Sequence, residues 1–405
     1  MKILQINAIY EKFSTGRTTK ELHEALLERG FESYVASPNL YSLNTNSYKI
    51  GNKLDWKMHA LFSRIFGKQA YYSKRSTKKL LKYIEEIKPD IIHLHNLHSN
   101  YINLKILLKY IYQNNIYVVI TLHDSWFYTG KCMYYIEHNC DKWKEKCGNC
   151  PAKHFGNNSL FFDFSSKMLK DKEKLFSSIS NLAVIGVSNW VTEDAKKSIL
   201  KNAKIIKCIY NWIDLNIFKP EDTSSLKKEM KLENKFVILG ISMNWTSVKG
   251  IDIFNELASI LPDDCQIVLV GDDSMVENKN KKIKFLGTIK DVEMLSKLYA
   301  MADVFVNPTI QETFGKTTAE ALACGTPVVA YNSTATPELV GTDEKCGYLL
   351  NENEPKLYLE KILEIKSKSK SEYSKHARAR AEELFSYEKN VEAYISIYNE
   401  IKRSD

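Results

Sequence analysis

Apolar residues recur along this chain in two rhythms. Short runs at 2–8, 31–37, 116–122, 182–187 and 203–209 are bounded by turn-forming residues and read as buried strands. Between them the period lengthens to three or four. Leu22, Leu26 and Leu27 mark one face of a helix expected over 17–30, closed by Gly30 and preceded by a polar turn at Ser14-Thr15-Gly16. The pattern restarts at 236–241, with strands at 266–270, 283–286, 303–306 and 328–331 and helices at 251–261 and 316–324. Strand and helix in regular succession predict an α/β chain with parallel sheets. The charged stretch 352–384 reads as helix, and Val391, Tyr394, Ile395 and Tyr398 sit at helical spacing in a last one over 387–401.

At 405 residues the chain exceeds one ordinary core, and two domains are expected. The polar stretch 221–234 places the division near 218, giving domains of 1–218 and 219–385, with 386–405 as a final helix. No run of about 18 apolar residues is present, so no spanning helix is expected. The opening strand is too short and too polar for a signal peptide, and the protein is expected to be cytoplasmic. The net charge is +8, and residues 53–82 alone hold nine Lys or Arg against Asp55. Leu54, Met58, Leu61, Phe62, Ile65 and Phe66 lie among these charges at helical spacing, with Trp56 nearby. Two readings stand: a solvated helix face, or a basic amphipathic segment for the anionic inner face of a membrane. No nucleic-acid recognition module accompanies the charge, so no nucleic-acid partner is expected.

Candidate chemistry gathers at strand ends, where open parallel sheets bind ligands. The first strand and helix lack a G-x-G-x-x-G fingerprint, which excludes the usual dinucleotide motif. His93, His95 and His98 follow Pro89-Asp90, but strand alternation sends neighbours to opposite faces, so a metal is not expected there. His123 stands at the tip of the strand over 116–122. Cys132, Cys140, Cys147 and Cys150 then fall within 19 residues, spaced C-x7-C-x6-C-x2-C in an insertion over about 130–155. In a reducing compartment such spacing suits a structural zinc, the alternative being four free thiols in a packed loop.

The stretch Glu312-Thr-Phe-Gly-Lys-Thr-Thr-Ala-Glu320-Ala-Leu-Ala-Cys-Gly325-Thr-Pro327 brings a loop carboxylate, a turn and a short helix with a second carboxylate. Free N–H groups at that helix start can hold a diphosphate. Glu320 can accept paired hydrogen bonds from a ribose diol, and Glu312 can meet sugar hydroxyls. This string resembles the E-x7-E signature of the retaining glycosyltransferases of family 4. His123-Asp-x-Trp-x-x-Thr-Gly-x-Cys132 with Cys147-x-x-Cys150-Pro is similar to the bacterial capsule and exopolysaccharide (colanic-acid-type) members.

The resemblance implies a GT-B fold, two doubly wound Rossmann-like domains facing across a cleft, with the last helix returning to the first domain. It implies transfer of a hexose-type sugar from a UDP- or GDP-sugar to a saccharide acceptor, lipid-linked or on a surface polysaccharide, with retention and no catalytic metal. Gly16, Lys249, Gly287, Thr288, Glu312, Thr313, Phe314, Gly315, Lys316, Thr317 and Glu320 would bind the donor. Arg17, His95 and Asn96 would lie on the acceptor side, and His123, Glu312 and Lys249 would serve the chemistry. Where the family has a donor-site arginine this chain has Met243 or Asn244, and either Lys316 or Arg17 compensates or phosphate binding is weaker. Other classes kept open are a nucleotide-sugar epimerase on the same fold and a non-enzymatic protein that binds membranes or polyanions.

Overall fold

The computed structural model describes residues 1–41, 46–156, 158–277 and 279–403. The chain forms two units, Met1–Ile209 with Val391–Asp405, and Tyr210–Asn390. The division therefore falls nine residues before the expected 218/219 boundary, and the last helix crosses it; residues 404 and 405 of the expected 386–405 segment lie outside the described residues.

The first unit runs β1 (Lys2–Ile6), α1 (Phe13–Glu28), β2 (Glu32–Ser37), β3 (Ser47–Lys49), α2 (Lys53–Phe66), α3 (Lys74–Ile87), β4 (Ile91–Leu94) and α4 (Leu104–Gln113). It continues with β5 (Tyr117–Leu122), α5 (Ser165–Ser177), β6 (Leu182–Gly186), α6 (Asn189–Lys197) and β7 (Ile205–Cys208). Its seven strands lie in the order β3-β2-β1-β4-β5-β6-β7, every ladder parallel. Such sheets need cover on both faces, and β4 and β6 are buried along their whole lengths. Helix α4 supplies cover through Leu104, Leu107, Leu108 and Ile111, one stripe at helical spacing, and starts where the Asn103 side chain accepts from the Ile106 N–H at 3.1 Å.

Helix α1 begins four residues earlier than expected, so Gly16 lies inside its first turns rather than in a polar turn. Glu11 and Phe13 take positive φ and swing the chain into the helix. A Cβ at Gly16 would sit 2.5 Å from Ile9 Cγ2, so the missing side chain is what lets the helix start close against that loop.

The second unit runs α7 (Ser224–Glu229), β8 (Phe236–Asn244), α8 (Ile251–Ile260), β9 (Cys265–Asp272), β10 (Ile283–Phe285), α9 (Val292–Met301), β11 (Val304–Asn307) and α10 (Lys316–Ala323). Then come β12 (Val328–Tyr331), α11 (Thr336–Val340), β13 (Gly347–Leu350), α12 (Pro355–Lys368) and α13 (Lys370–Leu384). Its sheet, also wholly parallel, has the order β10-β9-β8-β11-β12-β13. The helix expected over 352–384 is in fact two, broken at Ser369, whose φ of 75° ends α12 while its side chain accepts from the Ser371 N–H to start α13.

Helix α14 (Tyr387–Arg403) carries the chain back to the first unit. There Tyr398 bonds His93 Nδ1 at 2.7 Å, and Tyr394 meets Thr121 at 3.1 Å beneath the sheet. Ion pairs of Glu392 with Arg29 and Lys402 with Asp90 edge the contact, each worth at most about 1 kcal/mol at the surface.

Burial holds His23 and His59 down to about 4, His93 to about 3 and His123 to about 4, with His95 also well below its ordinary value. All five are in the first unit. The unfolded chain takes up these protons below about 6.5 and the folded unit does not. The stabilisation is therefore complete above that pH and is lost as pH falls toward 4. Thermal unfolding from pH 7.5 downward should show this fall, and His23→Gln should reduce the slope by about one proton, ~1.4 kcal/mol per pH unit. An unchanged slope would contradict it.

Candidate active site

In each unit strand order reverses beside the first strand, between β1 and β4 and between β8 and β11. Loops leave to opposite faces there, opening a crevice at the strand ends.

In the second unit the chain leaves β8, makes one tight helical turn at Ser247–Lys249, and enters α8 at Gly250. Gly250 has φ 79°, and a Cβ there would lie 2.2 Å from Pro308 Cγ, just past the end of β11. Only glycine lets the two loops approach this closely. The approach brings Lys249 Nζ to 2.7 Å from Glu312 Oε1, both side chains partly exposed. Glu312 is fixed from behind, its backbone N–H donating to Thr334 Oγ1 at 2.9 Å. Phe314 is buried and packs edge-on against Phe385.

Gly315, at φ 93°, then starts α10, and no side chain caps the helix. A Cβ at Gly315 would meet nothing nearer than 3.6 Å, so the backbone angle, not crowding, selects glycine. Thr313 is buried, and Lys316 and Thr317, in the first turn, are half-buried. Glu320, one turn on, is buried with its Oε2 accepting from Tyr299 at 3.0 Å. Gly287, beyond β10, accepts from the Gly271 N–H at 2.8 Å, which ties its loop to the exit of β9; Thr288 beside it is exposed. Met243 is 64% exposed and brings no charge to this crevice.

In the first unit Asn7 leaves β1 and bonds Thr19 Oγ1 at 2.8 Å, while its Oδ1 accepts the Asn96 N–H at 3.3 Å. His95 and His123 are in contact, Nδ1 to Nε2 at 3.0 Å, and His95 Nε2 meets Gln5 Oε1 at 3.1 Å. The Gln5 amide nitrogen donates to Thr19 O, so its oxygen must accept from His95. His95 Nδ1 is then an acceptor, the proton between the rings sits on His123 Nε2, and His123 keeps Nδ1 as its acceptor. Burial keeps both rings neutral near pH 7.

His98 bonds Asp124 at 2.7 Å, and Asp124 in turn accepts from the Trp126 N–H at 2.8 Å, shaping the loop after His123. Lys172 of α5 braces the same loop through the Trp126 and Thr129 carbonyls. Burial lowers Lys172 to about 7. Arg17 in α1 is half-buried, and its Nε is buried without a hydrogen-bond partner among the described residues.

The four cysteines line one cavity of about 10 Å³, beside Lys131 and Trp143. Cys132 and Cys150 are hydrogen-bonded to each other, and the Gly130 and Ala152 N–H groups donate to Cys147 and Cys150. Among the described residues no group of three or more His, Cys, Asp or Glu is set to hold a metal ion, so the thiols share a space without forming a ready ligand set.

The pairing of Lys249 with Glu312 and of His95 with His123 joins residues that sequence reasoning picked out separately. It missed Tyr299, Thr334, Gln5 and Asp124. Of these only Asp124, the second residue of the His123-Asp-x-Trp stretch, lay within a visible motif.

Residues 15–217, just over half of the chain, match the family model described as Glycosyltransferase Family 4. The chain belongs to glycosyltransferase family 4. Residues 233–368 match a second model, Glycosyl transferases group 1. Across 423 aligned residues this family member is 22% identical to an Escherichia coli (strain K12) protein whose name assigns it to colanic acid biosynthesis as the glycosyl transferase WcaC; 99% of this chain and 100% of that one are covered. It is 26% identical over 246 residues to spore coat protein SA of Bacillus subtilis (strain 168), covering 53% of this chain and spanning 64% of that protein's length.

Among solved structures, sucrose-phosphate synthase of Thermosynechococcus elongatus superposes with a TM-score of 0.71 at 16% identity, 100% of both chains covered. HepE of Anabaena in complex with UDP gives 0.67 at 19% identity, over 99% of this chain and 100% of that one. At such identities the likeness speaks for the fold, which is GT-B.

Gly250→Ala combines a positive φ with a 2.2 Å clash and should destabilise the second unit by ~2–3 kcal/mol, read by denaturant unfolding. Gly287→Ala, with positive φ but nothing within 4 Å, should cost less. Equal losses would mean that the loop approach is not tight.

Proposed function

We propose that this family 4 member is a retaining glycosyltransferase that moves a hexose-type sugar from a nucleoside diphosphate sugar to a saccharide acceptor. The observation that carries the reading is the meeting of Lys249 with Glu312 at the exits of β8 and β11, beside the uncapped, glycine-led start of α10. A diphosphate at that helix start would draw on free N–H groups and on Lys249, which would exchange Glu312 for phosphate oxygens. Glu312, released, would face sugar hydroxyls. Glu320, oriented by Tyr299, would hold the ribose diol.

Lys316, which opens α10, would supply the cation that the Met243 position lacks. Arg17, with its buried Nε unpartnered, is the corresponding candidate in the first unit. His123, neutral and hydrogen-bonded to His95, would orient a hydroxyl or the reacting sugar rather than supply charge. No nucleophilic side chain is invoked; positioning and stabilisation of the leaving diphosphate would carry the rate. The name of the WcaC relative supports a polysaccharide acceptor, and UDP in HepE supports a uridine donor.

Thermal unfolding with UDP, GDP, ADP and CMP tests the donor site. One nucleotide at about 100 times its Kd should stabilise the protein by roughly 2.7 kcal/mol, and Glu320→Ala should abolish the shift. Lys249→Ala should weaken it, and the anomeric configuration of the product should match that of the donor. No shift with any nucleotide would count against the transferase reading.

Zinc at the cysteine cavity is a separate proposal. Cys132, Cys140, Cys147 and Cys150 would be the residues that hold it, and its part would be structural. Elemental analysis should find zinc stoichiometric with the chain and lost in Cys132→Ser/Cys150→Ser; no metal would leave four packed thiols.

A further inference from the structure

Helix α2 is well made and turned the wrong way out. Asn52 and Asp55 form a reciprocal capping box at its start, and Gly67 closes it in the left-handed conformation. Yet the residues it buries are His59 and Ser63, with His59 bonded to Ser73 Oγ at 2.6 Å. Its periodic apolar positions face water: Leu54, Trp56 and Leu61 are 68, 46 and 51% exposed. A surface helix of a soluble domain ordinarily shows the opposite arrangement.

A second element extends this face. The Leu160 N–H donates to Arg64 O at 2.7 Å, and the Phe162 ring stacks on Phe66 at 5.6 Å. Phe161 and Phe162 are themselves 66 and 46% exposed. Two segments far apart in sequence thus present one apolar surface.

The rim of that surface is basic. Lys53, Lys57 and Arg64 alternate with the apolar residues of α2, and Lys74, Arg75 and Lys78 follow on the exposed side of α3. Asp55, the one acid of this stretch, is occupied by the Asn52 N–H at 3.3 Å and the Ser76 hydroxyl at 2.8 Å. Lys57 and Arg64 also line a hollow of about 450 Å³ beside Trp56, with Gln69 and Asn100, which has room for a polar headgroup.

We propose that α2 and the loop over 158–164 form a seat for an anionic lipid bilayer. The apolar side chains enter the headgroup layer, and the lysines and arginines pair with lipid phosphates. Charge complementarity selects the partner's sign, and the outward Leu54, Leu61 and Phe161 select a bilayer, because a nucleic acid or soluble polyanion would satisfy the cations and leave these residues wet. No helix of the described residues is long and apolar enough to cross a membrane. This inference does not rest on the donor reading.

The test is co-sedimentation of the full chain with vesicles of phosphatidylcholine, alone and mixed with phosphatidylglycerol. Binding should require the anionic lipid and fade toward 1 M salt, where the screening length falls to about 3 Å. Each surface cation contributes about fivefold, so Lys53→Gln/Lys57→Gln/Arg64→Gln should weaken binding on the order of 100-fold. Leu61→Ser/Phe161→Ser should weaken it by roughly tenfold or more, with charge unchanged. Brominated lipid should quench wild type more than Trp56→Phe. Heparin binding together with vesicle binding indifferent to Leu61→Ser/Phe161→Ser would overturn the proposal in favour of a polyanion site. Equal binding to neutral vesicles, or none to either, would also overturn it. The nucleotide-induced thermal shift of each variant, expected to match wild type, keeps this result separate from the donor reading.

Discussion

A wholly parallel sheet sends every strand out at the same edge, and where strand order reverses, neighbouring loops part and leave a gap. That constraint operates in both units, between β1 and β4 and between β8 and β11. The side chains with chemistry hang from these exits: Asn7, His95 and Asn96 in one unit, Lys249 and Glu312 in the other. Close packing behind the exits sets how near the side chains come. At Gly250 against Pro308 a single methyl group would push apart two loops that the sheet brings together, and at Gly16 against Ile9 it would push helix α1 off its loop.

The units then treat charge differently. In the first, burial removes it from the histidines: His93, His95 and His123 are neutral and linked through hydroxyl, amide and ring partners, while Asp124 beside His123 stays ionised against His98. In the second, Lys249 remains within reach of solvent and is held by one carboxylate that can be exchanged. A leaving diphosphate needs charge stabilisation, and an accepting hydroxyl needs orientation. An exchangeable cation suits the diphosphate proposed for the second unit.

Much of this was legible in the sequence because it is local. Buried strands in a parallel sheet are short apolar runs, and glycine, proline and capping residues punctuate them; the strands over 116–122, 182–187 and 328–331 lie within a residue of β5, β6 and β12. The glutamate pair was visible because a motif spaced along one loop and helix survives without tertiary knowledge, whereas Lys249, on another loop, was picked out only through the family resemblance. The start of α1 was not, since positive φ at Glu11 and Phe13 leaves no compositional mark. The break at Ser369 was hidden inside a run of charged residues that favours helix throughout. Tyr299, Thr334 and Gln5 act across strands or helices, and their spacing from Glu320, Glu312 and His95 carries no period to read.

The orientation of α2 was the least legible feature, for a physical reason. Periodicity reports that a helix has an apolar face and is silent on which way that face points; burial is normally assumed to decide. Here the capping box, the Gly67 stop and the His59–Ser73 bond fix the helix locally, so it does not need its apolar stripe buried in order to form. Helices of this length usually draw their stability from tertiary packing of that stripe. One that is anchored through a histidine and a serine has its apolar face free for another surface, and the basic residues around it narrow which surface that is.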